Sequence, residues 1–368
     1  MKIVCQQADL YQALSTVTHA LSPKSPIPAL DYILIKSENG EVTFTCSDLH
    51  ITIMSRIPGF ADSDGQVLLP GRLFTEVVRK LPDCEVTMDI SASLNTKILA
   101  SQTRTTLQGL SADNFPELPE TPDTAVSASL SQLAFRDMIR QTAFAVATDD
   151  LRPILTGCLI QCEGDVLTMV SLDSFRMAVR RSNVMITDGD FSFVAPGKYL
   201  SELAKILGDI DDTVTLRFGG NHLLINLGLT DIKIRLLEGE YIKYKQIIPA
   251  ESTTRIIVNR SALSDCVERA ALIARDGKTN LIKMNITDNM LVITSNNELG
   301  DIYEEIDCSK FGNDISIAFN VKYVSDVLKN IDDDNMVMML NSPVSPGTIV
   351  PEEGDSYLYL VLPVRTHQ

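Results

Sequence analysis

The chain has 368 residues, 45% of them hydrophobic and 22% charged, which is enough for two or three domains that each bury a core. Its formal net charge of −16 at pH 7 argues, at face value, against a polyanionic partner. No apolar run approaches the length of a membrane span, and residues 1–4 do not begin a signal segment, so we expect a soluble cytoplasmic protein.

Apolar residues at helical spacing recur along the chain and mark short amphipathic helices. Six are predicted, at residues 8–21, 71–81, 131–147, 196–207, 259–275 and 320–331. The first, third and fifth are each followed by a pair of strands with a polar turn, at residues 38–41, 163–165 and 288–289. The second, fourth and sixth each follow an apolar strand and have a basic residue near the start.

The helices and strands therefore form one pattern that occurs three times. The matched basic residues Arg72, Lys198 and Lys322 are 126 and 124 positions apart. Turn-rich polar segments near residues 119–125 and 249–254 separate the copies. We predict an α+β fold of three repeated domains, each with two helices packed on antiparallel sheet, at residues 1–121, 126–250 and 251–368.

Positive charge is concentrated in the predicted helices. Together they carry a net +5, so the remainder of the chain carries −21. One interpretation is that helices commonly expose lysine and arginine. The other is that the helices line a surface that faces a polyanion and contacts phosphates without reading sequence. Both interpretations remain open at this point.

The residue types that carry catalysis or bind metals do not occur in recognisable arrangements. The seven cysteines form no CxxC pair, and neither they nor the four histidines have metal-ligand spacing, so buried reduced thiols are expected. The acidic runs at residues 211–212 and 332–334 are interpreted as solvated turns. We predict no catalytic residues, no metal and no cofactor, and hence a scaffold, not an enzyme.

One segment resembles the end of a phosphate-binding loop, Gly277-Lys278-Thr279. The loop requires a glycine five positions before Gly277, where this chain has Leu272. We therefore interpret the segment as a turn.

Several segments, taken in order within the repeat, carry a resemblance to a known family. They are residues 68–72, 114–119, 173–177, 319–323 and 361–365. The chain resembles the bacterial β sliding clamps, the processivity subunits of DNA polymerase III, over essentially its whole length. The resemblance implies a ring of two subunits joined head to tail, in which six domains surround double-stranded DNA with twelve helices facing it.

The resemblance also implies weak, sequence-independent contacts between helix-borne cations and the DNA backbone. For each candidate a plain solvated side chain is the alternative. The candidates are Lys24, Arg72, Lys80, Arg152, Lys198, Lys205 and Lys322.

Head-to-tail closure requires two complementary edges. Basic residues on the closing strand of the first domain would face acidic residues of the third domain, with apolar residues beside them. The predicted dimer interface comprises Lys97, Arg104, Leu107, Leu272, Ile273, Glu298, Glu304 and Glu305. Alternatively, these charges simply protect edge strands from aggregation.

The family further binds short peptides of its partners in an apolar cleft between the second and third domains. The partners implied are the replicative polymerase alpha subunit, the clamp loader and other clamp-motif proteins. Carried over by position, the cleft is lined by Leu155, Leu172, Ser174, Phe175, Arg176, Met177, Ile242, Gln246, Ile247, Asn320, Tyr323, Val344, Leu360, Val361, Leu362, Pro363, Val364 and Arg365.

This chain departs from the family pattern at three places in or near the cleft. Leu172 and Phe175 stand where threonine and histidine are common, and Gln246 stands where a basic residue is common. Residues 366–368 extend past the usual end. These departures predict a more apolar cleft with a different peptide preference.

Two functions are compatible with the sequence. The first is a clamp that encircles DNA and confers processivity on bound enzymes, with no catalysis of its own. The second is a DNA-independent scaffold that uses the same repeat to bind peptide motifs. The positive charge of the helices separates the two, because only the first function needs it.

Overall fold

The computed structural model describes residues 1–22, 25–117, 126–149, 151–276 and 280–365. These residues form two compact units. Unit 1 comprises Met1–Gln132, Ile186–Asp188 and Ile210–Leu236, and unit 2 comprises Leu133–Met185, Gly189–Asp209 and Leu237–Gln368. Each unit is described by itself.

All six predicted helices are confirmed within the described part of the chain. They are α1 (Gln7–Val17), α2 (Gly71–Arg79), α3 (Gln132–Ala143), α4 (Gly197–Ile206), α5 (Arg260–Asp276) and α6 (Val321–Leu328). Two have asparagine caps, because the side chain of Asn259 accepts from Ala262 N at 3.0 Å and that of Asn320 accepts from Lys322 N at 3.0 Å.

The strands fall into three sets of nine. The first set is β1 (Lys2–Gln6), β2 (Tyr32–Glu38), β3 (Glu41–Ser47), β4 (Ile51–Ile57), β5 (Phe60–Ala61), β6 (Gly65–Pro70), β7 (Glu85–Ile90), β8 (Asn95–Ala100) and β9 (Thr103–Gln108). The second is β10 (Val126–Ser131), β11 (Gly157–Glu163), β12 (Val166–Leu172), β13 (Arg176–Asn183), β14 (Ile186–Thr187), β15 (Phe191–Pro196), β16 (Thr213–Gly219), β17 (His222–Asn226) and β18 (Thr230–Arg235). The third is β19 (Thr254–Asn259), β20 (Leu281–Thr287), β21 (Met290–Asn297), β22 (Gly300–Asp307), β23 (Ser309–Gly312), β24 (Ile315–Asn320), β25 (Asn335–Leu340), β26 (Gly347–Val350) and β27 (Tyr357–Val361).

Each repeat begins with a strand, whereas the sequence pattern predicts that each repeat begins with a helix. β1, β10 and β19 directly precede α1, α3 and α5. These strands have only five or six residues, with alternate side chains buried, as Ile3 and Cys5 are in β1. A period-2 pattern this short is easily overlooked beside a strongly periodic helix.

The three predicted hairpin turns are confirmed. Glu38 pairs with Glu41, and Asn39 and Gly40 between them have φ angles of 52° and 83°, as a two-residue type I′ turn requires. Gly164 and Asp288 adopt positive φ in the corresponding turns. The polar turn residues therefore occupy the backbone conformations that their types favour.

Every strand pairing is antiparallel, and the strand order repeats. Unit 1 contains a five-stranded sheet, β5-β1-β7-β8-β9, and a nine-stranded sheet, β14-β10-β16-β17-β18-β4-β3-β2-β6. Unit 2 contains a nine-stranded sheet, β15-β11-β12-β13-β27-β26-β25-β19-β23, and a four-stranded sheet, β22-β21-β20-β24. The order β5-β1-β7-β8-β9 thus recurs once in each nine-stranded sheet. The order β6-β2-β3-β4 recurs once in the nine-stranded sheet of unit 2 and once in the four-stranded sheet.

Both nine-stranded sheets arise from a join between consecutive repeats. In unit 1, β4 pairs with β18, for example Ile53 with Ile232. In unit 2, β13 pairs with β27 in the same way, for example Val179 with Leu358. The two strands that would make a third join, β9 and β22, are sheet edges.

Close packing at the start of two helices depends on glycine. A Cβ atom on Gly71, the first residue of α2, would lie 2.7 Å from a methyl carbon of Leu21. A Cβ atom on Gly197, the first residue of α4, would lie 2.8 Å from a methyl carbon of Val146. In both cases the segment after the first helix of the repeat approaches the second helix too closely for a side chain. The third copy has the fully buried Val321 at this position.

The cysteine prediction is confirmed with one exception. All seven cysteines are reduced thiols outside any disulfide and six are buried, whereas Cys84 is half-buried. Burial raises the pKa of the Cys5 thiol to about 12 and that of Cys158 to about 11. These thiols are therefore protonated core residues at neutral pH.

Candidate functional site

The matched cations occupy the same place in each repeat. Arg72, Lys198 and Lys322 are the second residues of α2, α4 and α6, and all three are exposed. The first turn of a helix carries a partial positive charge, so a cation there is unfavourable by about 0.3–1 kcal/mol. Helix stability therefore does not explain why all three copies carry a cation at this position.

The other predicted DNA contacts differ in their surroundings. Lys205 lies 2.7 Å from Glu202, and the ammonium group of Lys198 lies 4.9 Å from the centre of the Tyr199 ring. Lys80 and Arg152 are exposed, and Lys24 lies outside the described residues. On α3, Arg136 binds Asp209 at 3.0 Å, so part of the helix charge is neutralised locally.

Several of the predicted cleft residues belong to one apolar cluster in unit 2. It has a buried part, Leu155, Leu159, Val170, Leu172, Met177, Val179, Val194, Tyr244 and Leu360. Half-buried residues pack against it, among them Ile242, Tyr241 and Leu362. Six of the predicted residues are thus brought together: Leu155, Leu172, Met177, Ile242, Leu360 and Leu362.

Sheet pairing explains how distant residues meet in this cluster. Where β13 runs beside β27, Met177 faces Leu360 and Arg176 faces Val361. The backbone of Leu362 then donates to Phe175 O at 2.8 Å, and that of Val364 donates to Ala318 O at 2.8 Å. The segment after β27 is therefore held against the loop before β13 and against β24, the edge strand of the four-stranded sheet.

Arg176 is a buried ion-pair centre beside this cluster. Its side chain is 6% exposed and donates to Asp173 at 3.1 Å, to Asp326 at 2.5 Å and to Phe144 O at 2.8 Å. The guanidinium carbon also lies 4.9 Å from the centre of the Tyr323 ring. Arg176 thereby ties together β13, the segment after α3, and α6.

Phe175 and Tyr323 form an aromatic surface over this centre. Their rings stack with centroids 5.5 Å apart and an interplanar angle of 17°, and Phe175 is 52% exposed. Burial and, next, the carboxylate of Asp173 raise the pKa of the Tyr323 hydroxyl. Phe175 is one of the departures from the family pattern, and the structure shows that it extends the apolar surface.

The remaining predicted cleft residues are less closely joined to the cluster. Ser174, Gln246 and Ile247 are exposed, and Pro363 is half-buried. Val344 and Arg365 line a separate open groove in unit 2, and Asn320 caps α6. Their part in the cleft stays a prediction.

Sequence reasoning missed four residues that support the site. Asp173 and Asp326 hold Arg176, and Phe144 supplies a carbonyl and a ring face. The hydroxyl of Tyr241 donates to Val170 O at 3.2 Å inside the apolar cluster. Asp173 lies three positions before Arg176 in a segment that the sequence singled out, whereas Tyr241 and its partner Val170 are 71 positions apart.

The predicted dimer residues lie at or near the two sheet edges. Lys97 and Arg104 are exposed, but on different strands, β8 and β9. Leu107 is only 6% exposed, so it offers little surface to another subunit, and its part in the interface stays a prediction. In β9 the alternation of side chains directs Leu107 inward and Arg104 outward.

On the opposite edge, apolar side chains are more exposed than the sequence indicated. Leu272 is 68% exposed, and Leu299 and Tyr303, which were not predicted, are 79% and 59% exposed. Ile273 is half-buried, and Glu298 and Glu305 are exposed. This edge therefore combines acidic residues with apolar surface.

Glu304 already has a partner in its own unit. Arg269 donates to both of its carboxylate oxygens at 2.7 Å. These hydrogen bonds lower the pKa of Glu304 below its usual value. A contact of Glu304 with another subunit would be shared with Arg269.

The structure also bears on metal binding, on the acidic turn and on membrane spanning. Among the described residues, no three histidine, cysteine or acidic side chains are grouped to hold a metal ion. Asp332, in the predicted solvated turn at residues 332–334, is 62% exposed and accepts hydrogen bonds from Arg140 and Gln141. The segment 277–279 lies outside the described residues. No helix in the described part of the chain has the length and hydropathy to span a membrane.

Comparison with known proteins gives full-length matches. Residues 1–119, 129–243 and 245–365 match the N-terminal, central and C-terminal domains of the DNA polymerase III beta subunit. The chain is 33% identical over 365 residues to the beta sliding clamp of Staphylococcus epidermidis and 32% identical to that of Staphylococcus aureus, with 96% of each chain covered.

Solved structures agree with these matches. The crystal structure of the DNA polymerase sliding clamp from Bacillus subtilis superposes with a TM-score of 0.96 at 32% identity, and all of both chains is covered. The beta subunit from the DNA polymerase of Streptococcus pyogenes superposes with a TM-score of 0.94 at 30% identity, again over both whole chains. The chain belongs to the DNA polymerase III beta subunit family, the bacterial sliding clamps.

Proposed function

We propose that three sets of residues perform the work of this sliding clamp: the cations at the helix starts, the strand edges β9 and β22, and the cleft around Arg176. The protein is a processivity factor that encircles double-stranded DNA and tethers the replicative polymerase, and it catalyses no reaction itself. The observation that carries the assignment of sites is the strand order, in which two joins are made and the strands for a third are left unpaired.

Ring closure follows from that strand order. The joins β4–β18 and β13–β27 each pair the last strand of one repeat with the fourth strand of the preceding repeat. A second copy of the chain would supply β22 to β9, and β9 to β22, by the same antiparallel geometry. Arg104 and Lys97 would then meet the acidic edge that carries Glu298 and Glu305, and Leu272 would lose its exposure to water.

DNA is held by few and weak contacts. Arg72, Lys198 and Lys322 are exposed and repeat with the domains, so they would reach phosphates at regular intervals. Single exposed cations contribute modestly and lose their effect in salt. A closed ring needs no tight grip, because it is linked topologically to the DNA and stays free to slide.

The cleft takes short peptide motifs of partner proteins. Its apolar cluster would accept aliphatic or aromatic anchors, and the Phe175–Tyr323 stack would cover one side of them. The partners we propose for it are the replicative polymerase alpha subunit, the clamp loader and other clamp-motif proteins. We further propose the cytoplasm as its location, where bacterial DNA is replicated.

The experiment that tests the topological function compares two DNA substrates. The clamp is loaded on nicked circular plasmid and on the same plasmid after linearisation, and its retention is measured over time. We expect retention on the circle and rapid loss from the linear form, because only the linear form has ends. Equal loss from both would reject encirclement and favour the DNA-independent scaffold.

A second experiment tests the cleft separately. Deletion of residues 362–368 removes Leu362 and the backbone contacts that follow it. We expect the truncated protein to lose binding of the polymerase peptide and to remain a dimer in sedimentation, since β9 and β22 are intact. Unchanged peptide affinity would refute the assignment of the cleft.

A further inference from the structure

A second groove in unit 2 adjoins the proposed cleft. It has a volume of about 760 Å³ and is bounded by β24, by the loop between β25 and β26, and by the end of the chain. Val344 and Arg365, both carried over as cleft residues, form part of its wall, and Lys283 and Ser316 form another part. The groove therefore shares two residues with the predicted lining of the partner-peptide cleft.

One wall of this groove is an open strand edge. β24 is the last strand of its sheet and pairs only with β20. Ala318 O points away from β20, since it accepts from Val364 N. Backbone groups alternate in direction along a strand, so Ser316, two residues earlier, directs its N–H and C=O to the same side. Within the described residues, these groups of Ser316 form no backbone hydrogen bond on that side.

The corresponding edges in the other two repeats are bridged at the equivalent residue. In unit 1, Leu110 and Leu68 on β6 exchange two backbone hydrogen bonds. In unit 2, Leu237 forms a bridge with Val194 on β15. At β24 the chain makes the single bond from Val364 N to Ala318 O. Ser316 therefore lies beyond the bridged position, at the part of the strand that lines the groove.

The groove also carries positive charge. Lys283 and Arg365 are exposed at its surface. Its acidic residue, Asp314, is bound by Lys310 at 2.6 Å, which lowers the pKa of Asp314 and offsets its charge. In a chain of net charge −16, two cations at one open strand edge favour an acidic ligand.

We propose that this groove binds the segment of a partner peptide that lies next to its apolar anchors, as an extended acidic strand added to β24. The proposal rests on the proposed function of the cleft. Main-chain hydrogen bonds to Ser316 would hold the segment, and Lys283 and Arg365 would select carboxylates in it. The groove would thus distinguish partners whose anchors are the same but whose flanking residues differ.

The test uses two forms of the clamp-binding segment of the replicative polymerase. One peptide contains the apolar anchors alone. The other carries three aspartates next to the anchors, placed first at one end of the peptide and then at the other. We expect the acidic flank on one end to raise affinity about two- to fivefold, the range of an exposed ion pair or two. In Lys283→Glu that gain should vanish, whereas the affinity of the anchor peptide should not change. The gain should also decrease in 0.5 M salt.

A matched control separates the groove from general charge effects. Lys329→Glu changes an exposed lysine at the end of α6, outside the groove, and should retain the whole gain. Loss of the gain in both variants, or no gain with either flank, would overturn the proposal. Failure of the anchor peptide itself to bind would instead refute the cleft, so the two failures are distinguishable.

A backbone-modified peptide tests the strand addition. N-methylation of one flanking residue removes one N–H donor without changing charge, and scanning the methyl group along the flank should lower affinity at alternate positions. Equal affinity for all methylated peptides would contradict pairing with β24. Displacement of the flank by a single-stranded oligonucleotide at equal concentration would contradict a peptide as the occupant.

Discussion

The helix starts and the proposed peptide cleft differ in number of copies, in exposure and in polarity. Arg72, Lys198 and Lys322 occur in three equivalent places, are exposed, and lie in regular local structure. The cleft occurs once, is apolar, and depends on Arg176, which is 6% exposed and held by groups from three other segments. The proposed DNA contacts are weak and can occur in several copies, whereas the proposed peptide cleft requires one rigid assembly.

The two regions meet at a single carboxylate. Asp326 on α6 binds Arg176 at 2.5 Å and Lys322 at 3.2 Å. Lys322 is 65% exposed at its side chain, so its ion pair with Asp326 is screened by water, whereas the pair with Arg176 is not. We therefore expect the regions to respond almost independently to mutation, with Arg176 dominant.

The largest effect is expected for Arg176→Met. The substitution leaves Asp173 and Asp326 without their cation, which should lower the free energy of unfolding by about 3 kcal/mol. Urea denaturation measures this loss. The control is Arg181→Met, whose exposed pair with Asp355 should contribute less than about 1 kcal/mol. Equal losses in the two variants would remove the distinction between a buried centre and a surface pair.

The next effect concerns the aromatic surface of the cleft. Tyr323→Ala removes the ring that stacks on Phe175, so the affinity for the polymerase peptide should fall about tenfold. Tyr323→Phe retains the ring and should stay within about twofold, since stacking does not use the hydroxyl. Calorimetric titration gives both affinities. A tenfold loss in Tyr323→Phe would assign the effect to the hydroxyl instead.

A smaller effect is expected at each helix start. Arg72→Ala, Lys198→Ala and Lys322→Ala should each reduce the slope of log affinity for short linear duplex against log salt by about 0.9, one phosphate contact. The three reductions should be equal because the positions are equivalent. Lys36→Ala, on β2 and paired with Glu38, should leave the slope unchanged. Unequal reductions in the slope would show that the three equivalent positions do not contribute equally to DNA binding.

The smallest effect tests the shared carboxylate. In Lys322→Ala the affinity for the polymerase peptide should change by less than about twofold, because an exposed pair contributes about 0–1 kcal/mol and Arg176 keeps Asp326 in place. Calorimetric titration of Lys322→Ala and Arg72→Ala side by side provides the comparison. A tenfold loss in Lys322→Ala alone would show that the DNA-facing helix controls the cleft.

Sequence patterns predicted the local elements well and their partners poorly. The helices and the turn at Asn39 and Gly40 follow from periodicity and backbone preference, which act over a few residues. The pairing of Arg176 with Asp326 spans 150 positions, and that of Glu304 with Arg269 spans 35, so no local pattern reports them. The inward direction of Leu107 follows from the alternation along β9, which is a local pattern.

By itself, the sequence determined three repeats, six amphipathic helices, the matched cations and the family, because each depends on composition and spacing along the chain. Only the tertiary structure decided which strands join the repeats, which edges stay open at β9, β22 and β24, and which carboxylates hold Arg176. These features depend on contacts between segments far apart in sequence. Such contacts form only when burial of the apolar surface brings the segments together.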